Sequence, residues 1–186
     1  MRVVAGKFKS RRFYPPADKW PTRPTTDFAK EGLYNVLTHT LDFPSVSMLD
    51  LFGGTGSHSY ECISRGCKDV TYVDQHGPCL KFVKEISVKL EIQDELKIVR
   101  SDVFKYIAHC GIQYDYIFAG PPYPLANLSS LPTEIFKHEL LKEGGLLVVE
   151  HDQKHDFEHH PNFYKEKNYG IATFSFFDAL GKENDN

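Results

Sequence analysis

Asp50-Leu51-Phe52-Gly53-Gly54-Thr55-Gly56-Ser57 is the stretch that decides the fold of this 186-residue chain. It follows an apolar run, residues 48–52, that is typical of a buried strand, and it leads into residues 57–65, which have the pattern of a helix. Glycines at such a junction let the backbone approach a ligand closely, and the N-terminus of the helix faces the same place. In open parallel sheets, ligands lie beyond the carboxyl ends of the strands. The stretch therefore predicts an α/β fold with a ligand site after its first strand.

Short apolar runs and amphipathic stretches alternate along the rest of the chain. The predicted strands are residues 48–52, 70–74, 97–100, 116–119 and 146–150. The predicted helices are a first one from Asp27 to about Thr40, then residues 57–65, 78–90, 103–109 and 131–141. Strands without internal polar alternation, separated by helices, predict a parallel sheet covered on both faces. Residues 169–173 and 174–178 resemble two strands with no helix between them, which predicts an antiparallel hairpin at the end of the sheet.

Acidic residues stand next to the carboxyl ends of three predicted strands. Asp74 closes the second strand about 20 residues after the glycines, where a ribose diol is usually held. Asp102 follows the third strand and could accept from an adenine amine, although an acid at a helix start is often only an N-cap. Asp50, just before the glycines, suits a ligand that carries a positive charge. An ammonium and a sulfonium together, as in S-adenosylmethionine, fit this pattern.

A dinucleotide such as NAD is the competing ligand, and a tight turn without a ligand is the other reading of a glycine loop taken alone. The dinucleotide motif would use Gly54 and Gly56, but it needs a third small residue where Ser59 and Tyr60 stand. The sequence therefore favours S-adenosylmethionine. The residues predicted to bind it are Asp50, Phe52, Gly54, Gly56, Asp74 and Asp102.

The second informative segment is Ala119-Gly120-Pro121-Pro122-Tyr123. Two consecutive prolines cannot continue a strand ladder, so the chain must leave the sheet in a rigid turn. The segment resembles the (Asp/Asn/Ser)-Pro-Pro-(Tyr/Phe/Trp) motif of amino-methyltransferases. Nearly the whole chain resembles, among them, the RsmD-type 16S rRNA guanine-N2 methyltransferases. The other segments that carry the resemblance are residues 1–12, 23–27, 50–56 and 64–66.

The resemblance implies a Rossmann-like class I methyltransferase fold in a single domain, residues 1–186. A basic N-terminal β-hairpin or arm (1–24) would precede a catalytic core (25–180). It also implies methyl transfer from S-adenosylmethionine to the exocyclic N2 amine of a guanine in small-subunit (16S) rRNA, without a metal ion. Gly120, Pro121, Pro122 and Tyr123 would form the catalytic loop, and the Tyr123 ring would stack on an extruded base. An adenine-N6 methyltransferase remains an alternative, because the loop does not distinguish the two amines.

Gly120 departs from the motif, which has Asp, Asn or Ser at this position. Losing one preorganised hydrogen bond in a transition state commonly costs ~10²–10³ in rate. Three explanations stay open: a weak enzyme that relies on the Pro121 carbonyl, a catalytically silent rRNA-binding protein, or an altered residue in this sequence. From sequence alone we expect Gly120→Asp to be at least about tenfold faster.

Charge is divided unevenly along the chain, although its net value is only −3. Residues 1–24 hold seven basic residues and one acidic residue, a charge of +6, whereas the remainder holds 15 basic and 24 acidic residues, a charge of −9. A basic arm on an acidic body is expected where one face meets a polyanion, here 16S rRNA or the small ribosomal subunit. The alternative is an edge hairpin whose charges discourage aggregation and whose aromatic residues face the core. The predicted RNA contacts are Lys7, Lys9, Arg11, Arg12 and Arg23.

Other features restrict the class of protein. No apolar run approaches the ~20 residues that a membrane span needs, and the N-terminus lacks the features of a signal peptide. The four cysteines form no CxxC pair, which favours reduced thiols. His151 and His155 have metal-ligand spacing on a helix, but Pro161 interrupts the region and no cysteine completes a set. We therefore expect a cytoplasmic monomer without a metal site or a membrane partner.

Overall fold

The computed structural model describes residues 1–16, Trp20 and residues 25–180. These residues form a seven-stranded sheet with the order β3-β2-β1-β4-β5-β7-β6. The strands are β1 (Ser47–Leu51), β2 (Asp69–Asp74), β3 (Leu96–Arg100), β4 (Tyr114–Ala119), β5 (Leu141–His151), β6 (Phe163–Tyr169) and β7 (Ala172–Asp178). The α-helices are α1 (Asp27–Leu37), α2 (Ser57–Ser64), α3 (Gly77–Leu90), α4 (Val103–His109) and α5 (Leu131–Lys137). The first five strands are parallel, and β7 runs antiparallel to both of its neighbours, which confirms the predicted mixed sheet.

Both faces of the sheet are covered, because each central strand buries alternate side chains on opposite sides. In β1, Met48 packs into one hydrophobic cluster and Leu49 and Leu51 pack into the other. The first cluster includes apolar residues of α1, α2 and α3, and the second includes those of α4 and α5. The burial of nearly every residue in β1, β2 and β4 follows from this arrangement. None of the helices within the described residues combines the length and the apolar character that crossing a bilayer requires.

The strand order reverses between β1 and β4, which are neighbours in the sheet although two strands separate them in sequence. Leu51 pairs with Ala119, so the last residues of these two strands lie side by side. The segments that leave them, residues 52–57 and 120–123, therefore start from adjacent points. This reversal is the usual place for a ligand in a doubly wound sheet.

Several sequence predictions about element bounds are wrong: α1 ends at Leu37 and not near Thr40, and β5 begins at Leu141 and not at residue 146. The predicted strand at residues 169–173 spans a turn, where Gly170 has a φ of 74°, and β6 instead covers Phe163–Tyr169. Most of β6 is exposed and polar, so it lacks the apolar signal of a strand. The predicted helix at residues 131–141 ends at Lys137, and Glu139, with a φ of 53°, turns the chain into β5.

The N-terminal arm is an irregular hairpin. A single bridge pairs Arg2 with Arg12, and residues 6–8 form a 3₁₀ turn instead of a regular strand. The arm is held to α2 because the carboxylate of Glu61 accepts hydrogen bonds from the backbone N–H groups of Val4 and Ala5, at 2.8 and 3.1 Å. The predicted hairpin is thus present without an extended ladder.

Candidate active site

A cavity of about 530 Å³ opens where the parallel strands end. Four strand ends contribute to its wall: residues 52–55 and Ser57 after β1, 74–77 after β2, 120–123 after β4, and Glu150 in β5. Both segments that the sequence singled out therefore face one space. The remaining lining residues are Thr25, Asp50, His58, Val103 and Phe118.

Asp50 is a buried carboxyl group in the wall of this cavity. Its Oδ2 accepts hydrogen bonds from the Ser59 backbone N–H at 3.1 Å and from the Ser59 hydroxyl at 2.6 Å. Burial raises the pKa of Asp50 to about 7, and the neighbouring Asp74 adds to the rise, although the two bonds from Ser59 oppose it. A cation bound next to Asp50 would restore its ionised form. The site is suited to a positively charged ligand.

The glycine loop leaves no room for side chains at two positions. A Cβ atom at Gly53 would lie 2.3 Å from the Tyr72 ring, and one at Gly56 would lie 2.7 Å from the Tyr60 ring. Gly56 also has a φ of 75°. Phe52, which lines the cavity, has a φ of 57°, a strained conformation of the kind that collects at functional sites.

Asp74 connects the loop to the end of β2. Its Oδ2 accepts from the Gly54 N–H at 2.9 Å and its Oδ1 from the His76 N–H at 2.8 Å. A carboxylate offers about four acceptor positions, so these bonds leave capacity for hydroxyl donors of a ligand. Asp102 has a different place: it caps α4 by accepting from the Lys105 N–H at 3.0 Å, and its neighbour Val103 lines the cavity. The structure thus brings five of the six predicted cofactor residues to the glycine loop and its surroundings, with Asp102 at the adjacent helix start.

The loop 120–123 continues directly from the sheet. The Gly120 N–H donates to the Leu51 carbonyl at 3.2 Å, one step beyond the paired ends of β1 and β4. Pro121 is buried, Pro122 is exposed, and Tyr123 is half-buried with its hydroxyl donating to Glu150 Oε1 at 3.2 Å. The Pro-Pro-Tyr segment therefore forms a ledge at the mouth of the cavity, opposite the glycine loop.

Three polar residues outside the glycine loop and the Pro-Pro-Tyr segment, Thr25, His58 and Glu150, also line the cavity. The Thr25 hydroxyl donates a short hydrogen bond to Glu150 Oε2 and lies 3.1 Å from His58 Nε2. The His58 ring stacks on Phe118 with centroids 3.6 Å apart, and burial lowers its pKa well below the usual value, so the ring is neutral. Glu150 ends the predicted strand at residues 146–150, a place that by itself does not indicate a site residue. The one sequence signal for His58 was its place on α2, directly after the glycine loop.

The basic residues of the arm have different surroundings. Lys9, Arg11 and Arg12 are exposed, Lys7 is also exposed and pairs with Glu95 at 3.3 Å, and Arg23 lies outside the described residues. Of the aromatic residues near the arm, Phe8 is buried, Phe13 packs on Tyr60, Trp20 packs edge-on against Phe82, and Tyr14 is 81% exposed. Core packing therefore explains most of these rings, and Tyr14 is the exception.

Comparison with known proteins assigns the chain to a family. The family model described as "Conserved hypothetical protein 95" matches residues 1–178. The chain is 33% identical over 188 residues to "Putative rRNA methyltransferase YlbH" of Bacillus subtilis, covering 97% of this chain and 100% of that protein. The chain belongs to the RsmD-type family.

A further relative and a solved structure are similar to the chain over most of its length. The chain is 25% identical to "Ribosomal RNA small subunit methyltransferase D" of Haemophilus influenzae, covering 95% of this chain and 93% of that one. A solved structure named "Putative methyltransferase yhhF from Escherichia coli" superposes with a TM-score of 0.82 at 21% identity, covering 96% of this chain and 97% of the other. The fold is that of class I methyltransferases, and the cofactor of the RsmD-type family is S-adenosylmethionine.

Within an RsmD-type site, the position of Gly120 is the point of greatest chemical interest. A Cβ atom there would lie 3.1 Å from the Phe118 ring and 4.0 Å from Glu150 Oε2. The place of the absent motif side chain is therefore next to an existing carboxylate. The histidines with metal-ligand spacing lie elsewhere: His151 is buried and within hydrogen-bond distance of the Ser175 hydroxyl, at 2.8 Å.

Proposed function

We propose that this chain transfers a methyl group from S-adenosylmethionine to the exocyclic N2 amine of a guanine in small-subunit (16S) rRNA. The observation that carries the proposal is the adjacency of the glycine loop and the Pro-Pro-Tyr ledge, which start from the paired residues Leu51 and Ala119 and face one cavity. The relatives named above support rRNA as the substrate class. The choice of guanine N2 rests on the family resemblance.

The residues at the glycine loop fit the cofactor. The buried carboxyl group of Asp50 would face the positively charged methionyl part of the cofactor. Asp74 would accept hydrogen bonds from the ribose hydroxyls. Gly54 and Gly56 let the backbone come close, and Val103 would line the adenine side next to Asp102. When bound, S-adenosylmethionine supplies an electrophilic methyl group on a sulfonium centre that leaves as a neutral thioether.

The ledge would hold the target base. The Tyr123 ring would stack on an extruded base, and Pro121 and Pro122 would keep the backbone carbonyls of the loop in place. An exocyclic amine is conjugated with its ring and is a weak nucleophile. Acceptors that bind its hydrogens orient the nitrogen lone pair toward the methyl donor, and such positioning accounts for much of the rate in reactions of this kind.

We further propose that the arm, residues 1–24, contacts rRNA while residues 25–180 form the catalytic part of the same domain. The exposed Lys9, Arg11 and Arg12 side chains support this assignment. A ribosomal substrate would place the reaction in the cytoplasm, and one copy of the chain supplies every wall of the cavity described above.

The deciding experiment uses labelled S-adenosylmethionine and small ribosomal particles from cells that lack the modification. The products are digested to nucleosides and the methylated base is identified. Labelled N2-methylguanosine is expected, whereas N6-methyladenosine would establish the adenine alternative. A calorimetric titration with S-adenosylmethionine and with NAD accompanies it, and tight binding of NAD alone would contradict the proposal.

A catalytically silent rRNA-binding protein is the second candidate, and Gly120 is the observation that favours it. Such a protein would bind S-adenosylmethionine and rRNA but leave no labelled base in either free 16S rRNA or the particle. The same assay therefore separates the two functions.

A further inference from the structure

We propose that Glu150 supplies the acceptor carboxylate that the motif lacks at Gly120, and that it binds the hydrogens of the target amine. This inference rests on the proposed function, because it concerns the same reaction. Under this proposal the chain is an enzyme in which Glu150, on β5, takes the place of the motif aspartate that is missing from the loop after β4. None of the three explanations given above for Gly120 is then needed.

The strand register places the two positions side by side. Ala119 of β4 pairs with Val149 of β5 in a parallel ladder, so the next residues along the two strands are Gly120 and Glu150. A Cβ atom at Gly120 would lie 4.0 Å from Glu150 Oε2. A carboxyl group attached to that Cβ atom, as in a motif aspartate, would therefore lie close to the Glu150 carboxylate. Asp115, the one acid of β4, is at the opposite end of that strand, paired with Lys142 at 2.8 Å.

Two hydroxyl groups orient the Glu150 carboxylate. Thr25 donates to Oε2, and Tyr123, at the end of the ledge, donates to Oε1 at 3.2 Å. An ionised carboxylate offers about four acceptor positions, so these bonds do not prevent it from accepting an N–H of a base as well. The Tyr123 ring is also the one proposed to stack on the base. Glu150 is therefore hydrogen-bonded to the residue against which the base would lie.

The chemical role follows from this position. The amine nitrogen gives its lone pair to the new C–N bond, and the pair of the breaking C–S bond leaves with the thioether sulfur. The nitrogen then carries an extra proton, which passes to the Glu150 carboxylate and from there to water. A second carboxylate at position 120 would face Glu150 at close range, and two like charges so close raise the pKa of one of them. Glycine at this place therefore avoids a second carboxylate beside Glu150.

The test is a double-mutant cycle of Glu150→Gln and Gly120→Asp. We measure the single-turnover rate of methyl transfer, the affinity for S-adenosylmethionine by calorimetry, and the unfolding temperature. Glu150→Gln is expected to lower the rate by ~10²–10³ while the affinity changes less than about threefold. Adding Gly120→Asp to Glu150→Gln should restore the rate at least about tenfold. On the native Glu150 background the same substitution should gain less than that, which revises the expectation from sequence.

Two further variants guard the interpretation. Glu85→Gln makes the same chemical change at an exposed position of α3 and should leave every measurement as it is. Glu150→Asp keeps a carboxylate and should retain more activity than Glu150→Gln even if the latter folds poorly. Gly120→Asp should restore the rate of Glu150→Gln without restoring any loss in its unfolding temperature. A purely structural Glu150 would not give this selective rescue.

Several outcomes overturn the inference. An unchanged rate in Glu150→Gln would do so, as would failure of Gly120→Asp to rescue it. Either of these two results would leave the proposed function intact. Activity that appears only when Gly120→Asp is introduced into the native chain would show that Glu150 does not compensate and that the native chain is the silent rRNA-binding protein. If all four proteins bind S-adenosylmethionine and none methylates rRNA, the proposed function itself fails.

Discussion

At the scale of single residues, Asp50 has opposite effects on stability and on binding. Its folded-state pKa, about 7, is above the ordinary value of 3.8 because burial disfavours the carboxylate. The folded chain therefore holds a proton that the unfolded chain loses between about pH 4 and 7, so Asp50 lowers the free energy of unfolding progressively as the pH rises through this range. A bound cation would remove most of that cost.

Asp50→Asn should therefore stabilise the unliganded chain by about 2–4 kcal/mol at pH 8 and much less at pH 4. It should also weaken binding of S-adenosylmethionine by at least about tenfold, since the amide does not neutralise a cation. Thermal unfolding at the two pH values and calorimetry measure these effects. Equal stabilisation at both pH values would show that Asp50 is not the titrating group.

The glycine loop gives a second test with a matched control. Gly53→Ala would drive a Cβ atom into the Tyr72 ring, whose hydroxyl donates to the Gly54 carbonyl at 2.8 Å. We expect a loss of about 1–3 kcal/mol in stability and weaker cofactor binding. Gly111→Ala, where a Cβ atom would meet nothing within 4 Å, should change neither measurement. Normal cofactor binding by Gly53→Ala would contradict the close approach of this loop to the ligand.

At the scale of elements, the best-predicted parts were those that bury one clear face. Strands β1, β2 and β4 are almost entirely buried, and their bounds from sequence differ from the observed ones by two residues or fewer. β6 was misplaced because most of it is exposed and carries polar residues such as Glu166 and Lys167. The position of Glu150 beside Gly120 could not be predicted either, because it follows only from the register of β5 against β4. Contacts between elements distant in sequence leave no local pattern.

The attachment of the arm to α2 depends on a buried ion pair. Lys30 Nζ and Glu61 Oε2 are 3.5 Å apart, both side chains are fully buried, and burial lowers the pKa of Lys30. Glu61→Gln should cost about 3–5 kcal/mol, because it leaves a buried charge without its partner. Lys137→Ala, which breaks an exposed pair with Glu134, should change stability by less than about 1 kcal/mol. Denaturant unfolding compares the two variants, and a loss below about 1 kcal/mol in Glu61→Gln would count against this role of the pair.

At the scale of the whole molecule, the uneven distribution of charge determines how the chain would meet RNA. Replacing Lys9, Arg11 and Arg12 by alanine should weaken rRNA binding and flatten its dependence on salt by about one unit of slope for each phosphate that is no longer neutralised. Removing Lys81, Lys84 and Lys89, three exposed lysines of α3, takes away the same charge and should have a smaller effect. Binding measured over a range of salt concentrations separates the two surfaces. Identical slopes would mean that the arm acts only through net charge.

The bond from the Gly120 N–H to the Leu51 carbonyl has a mechanical consequence for the substrate. It extends the hydrogen-bond ladder to the first residue after β4, so the glycine loop and the Pro-Pro-Tyr ledge start from one stiff support. If S-adenosylmethionine and the target base bind as proposed, the protein sets the distance between the donated methyl group and the acceptor amine, and the nucleotide must adapt to that distance. We expect rRNA in which the target base is already loosened from its neighbours to be modified fastest.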